Sequence, residues 1–309
     1  MTTSATPPVA AAAPGAASTK PSGPGKEGGA TGGAGWFTYV ALGFVVLLWI
    51  LPTVGIILTS FRSRDDAASG GWWELFLKPS GFADLTFDNY QRAIQGTNLG
   101  EGFINSLAIA LPATFIPILV AAFAAYAFTF MRFPGRDVLF VLIVGMLVVP
   151  NFVSFVPMLR IYRDLGMGGT FPAVWLFHVG FGMSLAIFMI RNYMATLPVT
   201  IIESAKIDGA SHFQTFFRLV LPMSVPVLAS FAIFQFLWVW NDLLVALVFL
   251  GPGENAPMTV SISQLLGQQG QNQELVTASG MFSMIVPIIV FLSLQRFFVR
   301  GLTAGAVKG

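Results

Sequence analysis

The chain contains no cysteine. Disulfides, thiolate chemistry, cysteine-held zinc and iron–sulfur clusters are thereby excluded. Histidine is almost missing as well: His178 sits in an apolar run and His212 in a polar loop. A metal centre wants several converging ligands, so each histidine is read as a packing or capping residue. Charge is also scarce. Asp, Glu, Lys and Arg make up 10% of 309 residues, where an ordinary soluble domain carries about a quarter. The net charge is only +2 and no basic cluster occurs, which leaves no footprint for nucleic acid. No G-x-x-x-x-G-K-[ST] loop is present to cradle a nucleotide. A membrane-embedded enzyme also lacks an acid–base or metal constellation to work with.

Apolar residues are plentiful, at 55% of the chain with a mean hydropathy of +0.75. Such a chain cannot cover its own surface with polar groups, so lipid is its expected solvent. A bilayer core takes about 20 consecutive apolar residues in a helix. Spans are expected at about 36–61, 102–130, 138–159, 171–190, 225–250 and 279–299. The fold class is thus an all-α polytopic membrane protein with six transmembrane helices. Prolines punctuate the spans, which membrane helices tolerate where neighbours satisfy the freed backbone groups. Residues 1–35 are Ala, Pro, Gly, Ser and Thr with few charges, a composition too poor in apolar area to order itself. They are expected to form a disordered cytoplasmic tail preceding a single membrane domain, 36–309.

Positive charge sets the orientation. With the N-terminus inside, the cytoplasmic face collects Lys20, Lys26, Arg132, Arg136, Arg191, Lys206, Arg218, Arg296, Arg300 and Lys308. The outer face collects Arg62, Arg64, Lys78, Arg92, Arg160 and Arg163. Both termini and the segment 192–224 are then cytoplasmic, and loops 62–101, 160–170 and 251–278 face out.

The segment 192–224 is the most polar long break in the second half of the chain. Pro198 suits a first helical position, with a helix over 199–207. Gly209 suits the left-handed residue that closes it, preceded by Asp208. Ser211 and Gln214 fit a capping box for a second helix. Phe213, Phe216, Phe217 and Val220 form an apolar stripe on that helix, and Pro222 is expected to stop it. Ile201, Ile202, Ile207 and the Phe stripe cannot all be buried in so small an element. An exposed apolar patch rimmed by polar groups marks a contact site; the alternative is a loop lying on its own bundle.

This segment resembles the EAA loop of ABC importer permease subunits, whose pattern is E-A-A, three residues, G, nine residues, I, one residue, L-P. The chain reads Glu203, Ser204, Ala205, then Gly209, Leu219 and Leu221-Pro222 in that register. It departs at Ser204 and Leu219. F-L-W-V-W-N-D at 236–242, N-S-L at 105–107 and the C-terminal R-F-F-V-R-G-L-T-A-G-A-V-K-G are similar to the carbohydrate, maltose-type subfamily. The resemblance covers residues from about 36 onwards. It implies a bacterial plasma-membrane permease subunit of a binding-protein-dependent sugar importer, of the oligosaccharide or α-glucoside class. It further implies a second homologous permease, two ABC ATPase subunits that bind the ATP, and an extracytoplasmic sugar-binding protein. This chain itself would hold no cofactor and catalyse nothing. The EAA loop, between spans four and five, would be a coupling helix docking on the ATPase through Glu203, Ser204, Ala205, Asp208, Gly209 and Ala210, with Leu221 and Pro222 completing the motif.

Within the spans, Asp242 is the one acid, next to Asn241, Trp238 and Trp240. A buried ionisable group in a membrane helix is a functional candidate because its insertion is costly. Aromatic faces and amides suit a sugar path; an interhelical hydrogen bond holding the bundle is the other reading. The Gln-rich stretch of loop 251–278 could offer hydrogen bonds to sugar or be a flexible solvated loop. Other readings are an importer permease for a different solute and an ion-coupled secondary transporter. The latter would want more intramembrane ionisable groups or inverted repeats.

Overall fold

The computed structural model describes residues 35–265 and 271–303. The expected disordered tail therefore lies, but for Gly35, outside the described residues, as does part of the Gln-rich stretch. Among the described residues there is no strand. The helices in order are α1 (Trp36–Phe61), α2 (Arg64–Ser69), α3 (Glu74–Leu77), α4 (Asp88–Gln95), α5 (Leu99–Phe130), α6 (Arg136–Gly145) and α7 (Phe155–Asp164). They continue with α8 (Phe171–Met194), α9 (Val199–Ile207), α10 (His212–Thr215), α11 (Leu221–Met223), α12 (Val225–Trp240), α13 (Leu244–Phe249), α14 (Met258–Leu265) and α15 (Gln273–Thr303). The chain forms two compact units, Met1–Ile50 and Leu51–Gly309. The described part of the first is the apolar N-terminal portion of α1.

Among the described residues four helices, α1, α5, α8 and α15, are each long and apolar enough to cross a bilayer. Two bent pairs bring the number to six if each pair is one span. The expected continuous span 138–159 does not form. Arg136–Val148 and Asn151–Asp164 meet at 94°. The cause is local: Pro150 biases the residue before it away from the helical region, and Val149 is extended at φ −74, ψ 119. The span expected at 225–250 is also interrupted. It ends at Trp240, resumes at Leu244, and is entered through a 69° bend at Ser224.

In the second unit α5 packs along α8, and α12 packs on both α5 and α15. The contacting stripe of α5 is Ser106, Ala110, Ala113, Pro117, Ala121 and Ala125, all buried and spaced three or four apart. Small residues at that spacing let helix backbones approach closely, which is how helices associate in lipid.

The prolines within the helices explain the polar contacts between them. Proline lacks an N–H, so the carbonyl four residues earlier loses its helical donor. Pro112 and Pro117 in α5 thus free the carbonyls of Ala108 and Ala113, and Pro287 in α15 frees that of Ser283. Each is met by a side chain from another helix. Trp175 Nε1 of α8 donates to Ala108 at 2.9 Å. Gln235 Nε2 of α12 donates to Ala113 at 3.2 Å. Trp240 Nε1, also of α12, donates to Ser283 at 3.1 Å.

The loop expected at 251–278 is largely structured. Helix α14 lies within it with Met258 and Val260 buried, and α15 begins at Gln273. Asn105 Nδ2 holds the carbonyls of Glu254 and Ala256 at 2.7 and 3.1 Å, and Ser106 Oγ accepts from Met258 N–H at 2.9 Å. A side chain at Gly102 would come within 2.9 Å of Ser261 Oγ. The N-S-L motif and this glycine therefore seat α14 on α5.

Candidate functional site

Helix α9 runs over the expected Val199–Ile207, with Pro198 as its N-cap rather than its first residue. Its end is a Schellman motif. Gly209 is left-handed at φ +78, its N–H donates to Lys206, and the Ala210 N–H donates to Ala205 at 2.9 Å. Two residues past Gly209 the next helix starts with a complete capping box. Ser211 Oγ accepts from Gln214 N–H at 3.3 Å, and Gln214 Oε1 accepts from Ser211 N–H at 2.9 Å. The short link between α9 and α10 therefore has its helix-end groups satisfied locally, which makes the pair one stiff element.

Pro222 does not stop this helix. After α10 the chain passes through a π turn, Phe216–Val220, and continues as α11; the break comes at Ser224. The π turn sits immediately before Pro222, and the Leu221 N–H reaches back to Phe216. Such one-turn bulges recur at functional sites.

The apolar stripe splits between two faces. Ile202, Phe216 and Val220 are buried in the same core as Ala121, Ala125, Ile187 and Ile190 of α5 and α8. Phe216 stacks on Phe123, with ring centroids 4.6 Å apart, and meets the Tyr126 ring edge-on. Ile207 and Phe213 are 87% and 68% exposed, with Phe213 packed on the Phe217 ring at 4.5 Å between centroids. Glu203, Ser204, Asp208 and Gly209 are exposed beside Ile207. Ala205 is buried, Ala210 and Leu221 are half-buried, and Pro222 is exposed. The element thus keeps an apolar face on the bundle and presents a second face, Glu203, Ser204, Ile207, Asp208 and Gly209, to whatever lies outside it.

The four span residues separate more sharply. Trp240 is 3% exposed, stacks on Phe236 and spends its N–H on Ser283; it belongs to the core. Asn241 is exposed and donates to the Leu237 carbonyl of its own helix. Asp242 lies in the break between α12 and α13, where its Oδ1 accepts the Val245 N–H at 2.7 Å, a capping role. Its own carbonyl accepts from Thr259. Trp238 is half-buried and sets its edge on His178. The cavity that Asp242 shares with Ser106, His178 and Trp240 measures about 10 Å³, the room of about one water and far too small for a sugar.

A second acid escaped the sequence reading. Glu274 was placed in an outer loop, but α15 starts one residue before it, and its side chain is 2% exposed. Arg92 of α4 lies 3.6 Å away. Its signal in the sequence was weak, because the polar run before it disguises a helix start. Among the described residues no group of three or more His, Cys, Asp or Glu could hold a metal ion.

Residues 117–304 match the family described as "Binding-protein-dependent transport system inner membrane component". The chain is 50% identical to the "Osmoprotective compounds uptake permease protein GgtD" of Synechocystis sp., over 87% of this chain and 91% of that protein. It is 38% identical to the "Alpha-glucoside transport system permease protein AglG" of Rhizobium meliloti, over 89% of this chain and 97% of that protein. In fold it is similar to a chain of a bacterial ABC transporter involved in the import of the acidic polysaccharide alginate. The TM-score is 0.73 at 23% identity, covering 85% of this chain and 96% of that one.

Proposed function

The chain belongs to the binding-protein-dependent transport inner-membrane component family, and we propose that within it the chain is the permease subunit of a sugar importer of the α-glucoside class. It is a transport component of the membrane. ATP is hydrolysed by separate ATPase subunits, and sugar is delivered by an extracytoplasmic binding protein. A second, homologous permease completes the path. The proposed orientation follows the positive charge, with the α9–α10 element on the cytoplasmic side.

One observation carries the mechanism: α9 and α10 are joined by a capped link, with one face in the bundle core and one face outside. The outer face is Glu203, Ser204, Asp208 and Gly209 around the exposed Ile207. We assign the ATPase contact to these residues. Ile202, buried in the bundle core, holds α9 to the bundle. Closure of the ATPase pair would push the outer face, and the inner face would pass the displacement to α5 and α8.

The test is assembly and uptake. The full complex carrying Glu203→Lys or Ile207→Asp is expected to lose ATPase subunits on purification and to lose ATP-driven uptake of labelled maltose or trehalose. Normal assembly and uptake in both variants would refute the coupling assignment. Uptake of neither glucoside by the intact, assembled complex would refute the substrate class alone.

A further inference from the structure

Two tyrosines make polar contacts from the spans to the two ends of the segment running from α10 to the bend at Ser224. The Tyr126 hydroxyl of α5 lies 3.0 Å from His212 Nδ1 in the first turn of α10. The Tyr193 hydroxyl of α8 donates to the Met223 carbonyl at 3.3 Å, next to the 69° bend at Ser224. Between these ties lies the π turn. The π turn itself meets α5 through aromatic rings, Phe216 and Phe217 against Phe123 and Tyr126 against Phe216. Apolar contact is non-directional, so packed rings can slide where a hydrogen bond fixes register. Tyr126 is 5% exposed and otherwise packed among apolar residues. Phenylalanine would fill that space; the hydroxyl serves the link to His212.

We propose that Tyr126 is the positioning residue that delivers movement of α9 and α10 to α5, through its hydrogen bond to His212, while the Tyr193 tie leaves the bend at Ser224 as the pivot. This rests on the reading of the α9–α10 element as the ATPase contact. The Schellman end and the capping box make α9 and α10 move together. His212 is the first residue after that capped link, so a displacement of α9 reaches it with little lost. The π turn and the bend both lie on the far side of the Tyr126 contact.

The native absence of cysteine makes a labelling test direct. Thr200→Cys on α9 and Arg132→Cys just past α5 would be spin-labelled in the complete complex, with partner cysteines replaced. Their separation would be measured by pulsed electron resonance without nucleotide and with ATP and vanadate. In the otherwise native chain the separation is expected to stay the same in both states, because α9 and the end of α5 travel as one body. With Tyr126→Phe it is expected to shift and broaden on adding ATP and vanadate, with the ATPase still co-purifying. His212→Ala should do the same, and the double variant should be no worse than either. Unchanged, narrow separations in Tyr126→Phe and His212→Ala would overturn the proposal. Retention of the ATPase by Ile207→Asp would instead overturn the contact reading on which it rests.

Discussion

The side-chain amide of Gln235 in α12 lies 3.2 Å from the Ala113 carbonyl of α5, the group that Pro117 leaves without a helical donor. The same amide is 3.3 Å from the His178 carbonyl of α8, so one fully buried side chain joins three helices. Gly182 makes the room, since a side chain there would come within 2.6 Å of Gln235 Oε1. Replacing Gln235 by Leu leaves a buried carbonyl unpaired, at a cost of roughly 1–3 kcal/mol. Pro117→Ala restores the missing N–H to Ala113. The pair should therefore be non-additive: Gln235→Leu should cost less in a Pro117→Ala background than alone. Thermal unfolding of the purified complex in detergent reads this directly, and strict additivity would show that the amide does not answer the proline.

Gly209 separates two reasons for a glycine. Its φ is +78, yet nothing lies within 4 Å of where a side chain would begin. Within this chain the constraint is backbone conformation. A β-branched residue in that region costs roughly 1–3 kcal/mol, whereas Asn adopts it more readily. Gly209→Asn should keep most ATP-driven uptake and Gly209→Val should lose most of it. Equal loss in the two variants would show that the proposed ATPase contact at Gly209, rather than its backbone conformation, sets the requirement for glycine.

Arg92 and Glu274 make an unequal pair. Glu274 is 2% exposed, while Arg92 is 46% exposed. Arg92→Ala strands a buried carboxylate, and removal of one partner of a buried pair costs roughly 3–5 kcal/mol at the upper end. Glu274→Gln leaves the guanidinium half in water, so the expected loss is smaller, about 1 kcal/mol. Thermal unfolding should rank Arg92→Ala well below Glu274→Gln. The reverse order would mean that Glu274 acts through hydrogen bonds that a glutamine breaks.

The local grammar of α9 and α10 was legible in the chain because its signals are short-range. Gly209 after a helical run and Ser211-x-x-Gln214 need only neighbours within four residues, and they form as read. The division of the apolar stripe was not legible. Whether Phe216 or Phe213 turns inward depends on where α5 lies, which no local pattern contains. The broken spans were missed because mean hydropathy over a window is blind to a bend. Pro150 was visible in the sequence, but its effect is a change of direction rather than of polarity. Glu274 was missed for the opposite reason: polarity placed it outside, while its arginine partner lies far away in sequence.

Trp240 is the residue whose reading changes most. Beside Asn241 and Asp242 it fits a sugar path by composition. In the fold its ring stacks on Phe236, its N–H is spent on the Ser283 carbonyl that Pro287 frees, and 3% of it is exposed. Trp240→Phe keeps an aromatic ring in the core but removes that donor together with part of the indole volume. The lost hydrogen bond contributes about 1 kcal/mol to the expected stability loss. That contribution should be largely relieved by Pro287→Ala, which returns an N–H to Ser283. The apparent affinity of uptake for maltose should stay unchanged, because no sugar touches a residue so enclosed. Asn241→Ala supplies the contrast, since Asn241 is exposed and its amide contacts only its own helix. A weaker apparent affinity for sugar in Trp240→Phe, with native thermal stability, would return Trp240 to the path.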